Sequence, residues 1–532
     1  MTDWHKGAVI YQIYPRSFAD SNDDGIGDLQ GVTARLDYVR SLGVDGVWLS
    51  PFFRSPMRDF GYDVSDYREV DPIFGTLADF DALLARAHAR DLKIIIDQVW
   101  SHTSDRHLWF KESRASRTNP RADWYHWAGA EADGTPPNNW LAVFGGPAWE
   151  WDTRRRQYYL HNFLAEQPDL NFHNADVRRA ILDVAKFWLD RGVDGFRLDV
   201  ANFYYCDALL RDNPPKRAEG GFPRPYQHQR HLYDRSQPET LGFLEDLRRV
   251  LDGYPERMSV AEIVSDHYLE RSMEYAAPGR LHTAYNFLFL ESRELTPALV
   301  RSAYEGWTGE NAGDSNGDGP WPSWSFSNHD VVRARTRFGG KDASEAYARM
   351  LLALLMTLRG TIFLYQGEEL GLPQGDVPFE KLKDPEGIRF WPDSLGRDGC
   401  RTPMPWRRDA LHAGFSTAEP WLPVDARHHG LAVDVQEREA GSTLALTRRL
   451  IALRKSSAAL RLGSIVFAAA PGNVIAFWRR RGSEAMFCAF NLSDSPVRFD
   501  APPRAPAGAF GPAEIGGGCI SLAGFGWMIG AA

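Results

Sequence analysis

Four stretches of the 532-residue chain set carboxylates beside histidine or arginine at the ends of apolar runs. Asp97 lies near the end of LKIIIDQV, with His102 five residues on; Arg197 and Asp199 alternate in GFRLDV; Glu262 follows Ser-Val-Ala; and Asn328-His329-Asp330 closes SWSFSN. Any one of these alone is explained as well by a structural salt bridge or a polar cap. Together, Asp199, Glu262 and Asp330 with His and Arg among them form the set that acetal cleavage requires. An ionised carboxylate attacks or stabilises the oxocarbenium-like carbon, and a protonated acid serves the leaving oxygen. Arg197, two residues before Asp199, shares its strand face and is expected to hold it charged by a charge-assisted hydrogen bond. Burial behind the Ser-Val-Ala run predicts a raised pKa for Glu262, suited to the acid role.

A second group lies near the start, in DSNDDGIGD. Asp20, Asn22, Asp24 and Asp28 fall on alternate positions, Gly25 stands sixth and the Ile26 carbonyl seventh, as at the beginning of a calcium loop. The twelfth position is Gly31, not a bidentate Glu, and the preceding AVIYQIY is β-rich. Two readings follow: an acidic, glycine-rich surface turn, or a cation-binding loop that is not an EF-hand sensor.

The elements that must position these residues are short β-branched runs separated by helix-period segments, the pattern of βαβ units. Eight strands are expected, at residues 8–14, 46–49, 92–99, 195–200, 259–263, 283–288, 323–328 and 361–366. Eight such units predict an α/β fold, a (β/α)₈ TIM barrel, whose chemistry gathers at the carboxyl ends of the strands. About 90 residues rich in Trp, Pro, Asn and Gly separate the third and fourth strands, so an inserted domain is expected there. After residue 455 short strands between Gly/Pro turns predict an all-β sandwich. The expected organisation is barrel at 1–102, insertion at 103–172, barrel again at 173–455 with a long loop at about 203–240, and the sandwich at 456–532.

Composition narrows the function classes. With 61 basic against 70 acidic residues, a net charge of −9 and no basic stripe, nucleic acid is not an expected partner. No apolar run is long enough for a membrane span and the first residues lack a signal-peptide pattern, so a cytoplasmic protein is expected. Cys206, Cys400, Cys488 and Cys519 are far apart with no C-x-x-C pair, which predicts free thiols. Eighteen tryptophans supply flat apolar faces of the kind sugars stack on, although a large aromatic core accounts for most of them.

With these residues in place, a resemblance can be stated. DQVWSH at 97–102, GFRLD at 195–199, Ala261-Glu262-Ile263 and FSNHD at 326–330 resemble the strand-end motifs of glycoside hydrolase family 13, the α-amylase family. QPDLN at 167–171 is similar to the motif near the end of that family's inserted domain, in the form of the bacterial α-glucosidase and oligo-1,6-glucosidase group. The resemblance spans essentially the whole chain. It implies Asp199 as nucleophile, Glu262 as general acid/base, Asp330 as the carboxylate gripping sugar hydroxyls, and retention through a covalent glucosyl-enzyme. It further implies that Asp59, Tyr62, His102, Arg197 and His329 hold the first sugar ring. Arg397 would pair with Asp59 to close the pocket behind the non-reducing end, which favours exo-action. Phe163 lines that pocket or merely packs. For Asp20, Asn22, Asp24, Ile26 and Asp28 it implies a structural Ca²⁺ or Mg²⁺, with no organic cofactor.

Two departures bear on substrate. Ala261 stands where many relatives carry Gly, a change expected to be tolerated. Val200 after the presumptive nucleophile is the residue type that the family often pairs with α-1,6 cleavage, whereas residues 202–215 resemble the loop of enzymes that prefer maltose and transfer glucose to alcohols. The expectation is therefore α-1,4 action on short α-glucosides with alcohol or sugar acceptors, by a monomer or homodimer. The alternatives are an oligo-1,6-glucosidase, a sucrose-active or isomerising member, or, in another class, a non-catalytic family-13-like binding protein.

Overall fold

The structure, a computed structural model, describes residues 3–217, 224–308, 320–506 and 508–532. Eight parallel strands close into a barrel: β1 (Val9–Ile13), β2 (Gly46–Leu49), β3 (Lys93–Gln98), β4 (Gly195–Leu198), β5 (Met258–Glu262), β6 (Thr283–Tyr285), β7 (Trp321–Trp324) and β8 (Thr361–Tyr365). Each strand pairs with its sequence neighbours, and β1 with β8 seals the ring, Val9 opposite Ile362. All eight expected strands are present, with two shifts. The sixth ends at Tyr285, because Leu288–Glu291 is helical. The seventh runs earlier, from Trp321 to Trp324, so Asn328 lies with His329 and Asp330 in the segment beyond its end.

The strands read as continuous apolar runs because both faces are buried. Period two then assigns each residue to a face. Val9, Tyr11 and Ile13 join the large core between barrel and helices, while Ile10, Trp48, Ile95, Met258, Val260, Tyr285 and Phe363 fill the barrel interior. The same parity carried upward points Gln12, Asp97, Arg197 and Glu262 into the interior at the carboxyl-end rim. The outer helices form by ordinary rules. Ala175–Asp190 starts at Asn174, whose side chain accepts from the Asp176 N–H, and buries Val177, Ile181, Val184 and Trp188 at helical spacing.

Between β3 and β4 lie a helix, Leu108–Ala115, and a three-stranded sheet in which Gln157–Leu160 is central to Trp127–Ala128 and Trp149–Asp152. The C-terminal part carries a four-stranded antiparallel sheet, including Val474–Arg481 and Glu484–Asn491, and a three-stranded one containing Cys519–Leu522. Trp478, Phe487 and Met528 of the first meet Ile520 and Leu522 of the second in one core, so the two sheets form a sandwich. The long loop after β4 includes residues 218–223, which lie outside the described residues. All four cysteines are unpaired. Among the described residues no helix is long and apolar enough to cross a membrane.

Candidate active site

A cavity of about 280 Å³ opens at the carboxyl ends of the barrel strands, and its walls include Asp59, Tyr62, His102, Phe163, Asp199, Glu262, Asp330 and Arg397. Glu262 ends β5; the other seven come from the segments after β2, β3, β4, β7 and β8, Phe163 from the insertion between β3 and β4. Arg197 and His329 are fully buried behind the cavity wall and reach it only through their neighbours.

The barrel parity explains the central cluster. Arg197 donates to Asp97 at 2.8 Å, to Asp199 at 2.6 Å and also to Glu262. Asp97 is further held by the Trp48 indole N–H at 3.3 Å and the Tyr62 hydroxyl at 3.2 Å. One guanidinium thus serves three buried carboxylates. The charge-assisted hydrogen bond from Arg197 to Asp199 is present and favours the ionised form, but burial outweighs a cation divided three ways. Burial, opposed by Arg197, raises Asp199 to about 7 and Glu262 to about 8, and Asp97 to about 6. All three carboxyls are thus pushed up by burial against Arg197, and a raised Glu262 suits an acid that must carry a proton near neutral pH.

Asp330 behaves oppositely. Burial would raise it, but His329, Arg401 and Arg397 hold it well below the usual carboxylate range. His329 is itself kept neutral by burial, its pKa pushed down to about 3, so at neutral pH the two guanidiniums carry the effect. Arg401 donates to Asp330 at 2.8 Å and to the His329 carbonyl at 2.7 Å. The His329 ring lies between Tyr14 and Tyr62, stacked on both, is hydrogen-bonded to the Tyr62 hydroxyl, and meets the Gln12 amide at 2.8 Å. His102, also neutral with a pKa lowered to about 4 by burial, shares a 2.9 Å hydrogen bond with the Tyr62 carbonyl.

Elsewhere on the wall Arg397 donates to Asp59 at 2.8 Å and lies over the Phe144 ring, 5.1 Å from its centre. Gln167 supports the same corner, donating at 3.3 Å both to Asp59 and to the Tyr62 carbonyl. Phe163 packs on His102, Phe144 and Phe203. It therefore both lines the cavity and packs. Val200, directly after Asp199, takes a left-handed backbone (φ 34°, ψ 51°), an unusual conformation for a β-branched residue.

Sequence reasoning overlooked part of the wall: Val143, Phe144, Arg224, Val264, Phe287, Glu291, Val331 and Glu386. Their loops come together only in the folded barrel, and nothing in their local sequence sets them apart. Arg401 and Gln12 were legible in principle, one in the same motif as Arg397, the other a lone amide in an apolar strand.

The acidic loop contributes no residue to the cavity. Asp20 accepts the N–H groups of Asn22, Asp23 and Gly25 at 2.8–3.0 Å and the Ser416 hydroxyl at 2.6 Å. Asp24 accepts from the Ile26 N–H at 2.8 Å, and Asp28 from Ser21 and Gly31. Five oxygen donors suit a hard cation in kind. Among the described residues, however, no three His, Cys, Asp or Glu side chains are grouped as a metal site.

Residues 12–463 match the family described as alpha amylase, catalytic domain. A probable alpha-glucosidase of Rhizobium meliloti (strain 1021) is 52% identical over 517 residues, covering 94% of this chain and 91% of the relative. An oligo-1,6-glucosidase of Heyndrickxia coagulans is 37% identical over 538 residues, with 94% of each covered. Among solved structures, an alpha-glucosyl transfer enzyme superposes with a TM-score of 0.95 at 52% identity, covering 100% of both chains. The trehalulose synthase from Pseudomonas mesoacidophila MX-45 superposes at 0.89 with 31% identity, again covering 100% of both.

Proposed function

We propose that this chain, which belongs to the α-amylase family of glycoside hydrolases, is a retaining, exo-acting α-glucosidase that releases glucose from the non-reducing end of short α-glucosides. The observation that carries this reading is a cavity whose wall holds Asp199, Glu262 and an Arg397–Asp59 ion pair, which we take to close it behind the terminal sugar. A blind pocket accommodates one terminal sugar, whereas an endo-acting enzyme needs an open cleft.

In this reading Asp199 attacks the anomeric carbon while the bond to the aglycone oxygen breaks, and Glu262 gives that oxygen its proton. The product is a glucosyl ester on Asp199. Glu262, now ionised, takes a proton from water or from an alcohol or sugar hydroxyl, whose oxygen attacks the same carbon and frees Asp199. Two inversions retain the α configuration. Asp330, kept ionised by its arginines, accepts from ring hydroxyls, and His102 and Tyr62 orient the ring. Arg197 and His329 position the residues that touch the sugar. Paired carboxylates in these distinct electrostatic states favour a catalyst over a binding protein.

For the substrate we favour maltose-type α-1,4 linkages with transglucosylation, supported by the similarity to an alpha-glucosyl transfer enzyme. Val200 at the cavity wall and the oligo-1,6-glucosidase relatives favour a second reading, α-1,6 cleavage. Energies of about 1–3 kcal/mol decide between them. Purified protein incubated separately with maltose, isomaltose, sucrose and trehalose, followed by NMR, tests this. Maltose should react fastest and give α-glucose first. Faster release from isomaltose would overturn the linkage assignment, and an initial release of β-glucose beyond that carried over from the substrate's own reducing end would overturn retention. We further propose a structural Ca²⁺ or Mg²⁺ at Asp20, Asn22, Asp24, the Ile26 carbonyl and Asp28, with no part in the reaction, and a cytoplasmic monomer or homodimer.

A further inference from the structure

Arg397 is held by more than the cavity wall. Its Nη2 donates to Asp59 at 2.8 Å, and Nη1 lies 3.5 Å from Asp330. The same Nη2, together with Nε, faces Asp384, at 2.7 Å and 3.1 Å, and the Arg397 backbone N–H reaches the same carboxylate at 2.6 Å. A two-point contact along the Nε/Nη2 edge fixes the plane of a guanidinium, which a single contact to Asp59 does not. Asp384 is fully buried and does not line the cavity.

Asp384 is itself anchored. Its backbone N–H donates to Asp398 at 2.9 Å, the neighbouring Lys383 N–H does so at 2.6 Å, and its own side chain caps the helix Pro385–Arg389. Gly396, at φ +65°, admits the carboxylate, because a Cβ there would stand 2.5 Å from the Asp384 Oδ2. Burial opposes ionisation of Asp384, but Arg397 outweighs it and holds the carboxyl below its ordinary range.

We infer that Asp384 is a specificity-positioning residue: it locks the Arg397 fork across the inner end of the pocket and thereby confines binding to a terminal glucose. This rests on the exo-acting reading above. The Asp384→Asn variant keeps the shape but loses the charge and one acceptor. It should raise KM for maltose about tenfold with less than a threefold change in kcat. Arg397→Gln should raise KM as well, and adding Asp384→Asn to it should raise KM no further, because Asp384 acts through Arg397.

The second measurement uses a malto-oligosaccharide whose non-reducing glucose is blocked by a 4,6-benzylidene group. The wild type should leave it intact, and Asp384→Asn or Asp384→Ala should cleave it. Additive KM effects in the double variant, or equal losses of kcat on every substrate with the blocked chain untouched, would overturn the inference. Cleavage of the blocked chain by the wild type would instead overturn the exo-acting reading, while the additivity test of Asp384 and Arg397 still stands.

Discussion

The charges around the cavity can be assigned residue by residue, and each assignment has a measurable consequence. Burial lifts Asp199 to about 7 and Glu262 to about 8, so the productive state, Asp199 ionised and Glu262 protonated, is most populated between them. kcat/KM should therefore fall below about pH 7, as Asp199 takes a proton, and fall again above about pH 8, as Glu262 loses one. Glu262→Gln should remove the alkaline limb for a substrate whose leaving group needs no proton, such as a glucosyl fluoride. A limb that persists in that variant would assign it to another group. Asp199→Asn should cost at least about 10³-fold in kcat by loss of covalent catalysis. Its melting temperature should not fall, because it removes one of three carboxylates that compete for Arg197. Near-full turnover would overturn the nucleophile assignment. The identities of Asp97, Asp199, Glu262 and Asp330 were legible in the sequence because strand-end position and type suffice to mark them. The upward shift of Glu262 was anticipated from the apolar run before it; the downward shift of Asp330 was not, since it depends on Arg401 and Arg397 arriving from after β8.

At the scale of elements, the turn after β1 shows how a loop is fixed. Gly25 sits at φ +85°, and a Cβ there would stand 2.1 Å from the Glu419 carbonyl, so residues 20–28 are docked on the segment that carries Ser416 and Trp421. Trp421 donates its backbone N–H to the Gly25 carbonyl at 3.0 Å. Gly25→Ala combines a disfavoured backbone with a backbone clash and should destabilise the protein by about 2–3 kcal/mol, read as a fall in melting temperature with little change in kcat for the folded enzyme. Treatment with a chelator tests the proposed ion in the same element. The melting temperature should fall while folded enzyme stays active, and an immediate loss of activity without unfolding would exclude a purely structural ion. Alternating acidic positions and a glycine were visible in the sequence as a loop. The partner surface, nearly 400 residues away in the chain, was not.

Across the whole molecule, barrel and sandwich are joined by arginines rather than by apolar packing alone. Arg454 is fully buried and donates to the carbonyls of Gly7, Met356, Leu358, Gly360 and Leu460 at 2.6–3.2 Å. Arg479 of the sandwich donates to the carbonyls of Thr357 and Gly463. Together they fasten the turn before β8, the β1 entry and the start of the sandwich. Arg454→Met leaves several buried carbonyls without donors and should cost about 3–5 kcal/mol, seen by calorimetry as a lowered transition. A loss below about 1 kcal/mol would show that water replaces the guanidinium. The sequence by itself determined the eight strands, the insertion, the all-β tail and the carboxylates that meet in one cavity, because local periodicity and strand-end chemistry are properties of short segments. Only the tertiary structure decided which carboxylate is held ionised by arginines, which residues line the cavity and which distant loops share an arginine. Those depend on burial and on distances between residues up to several hundred positions apart, and a linear pattern carries neither.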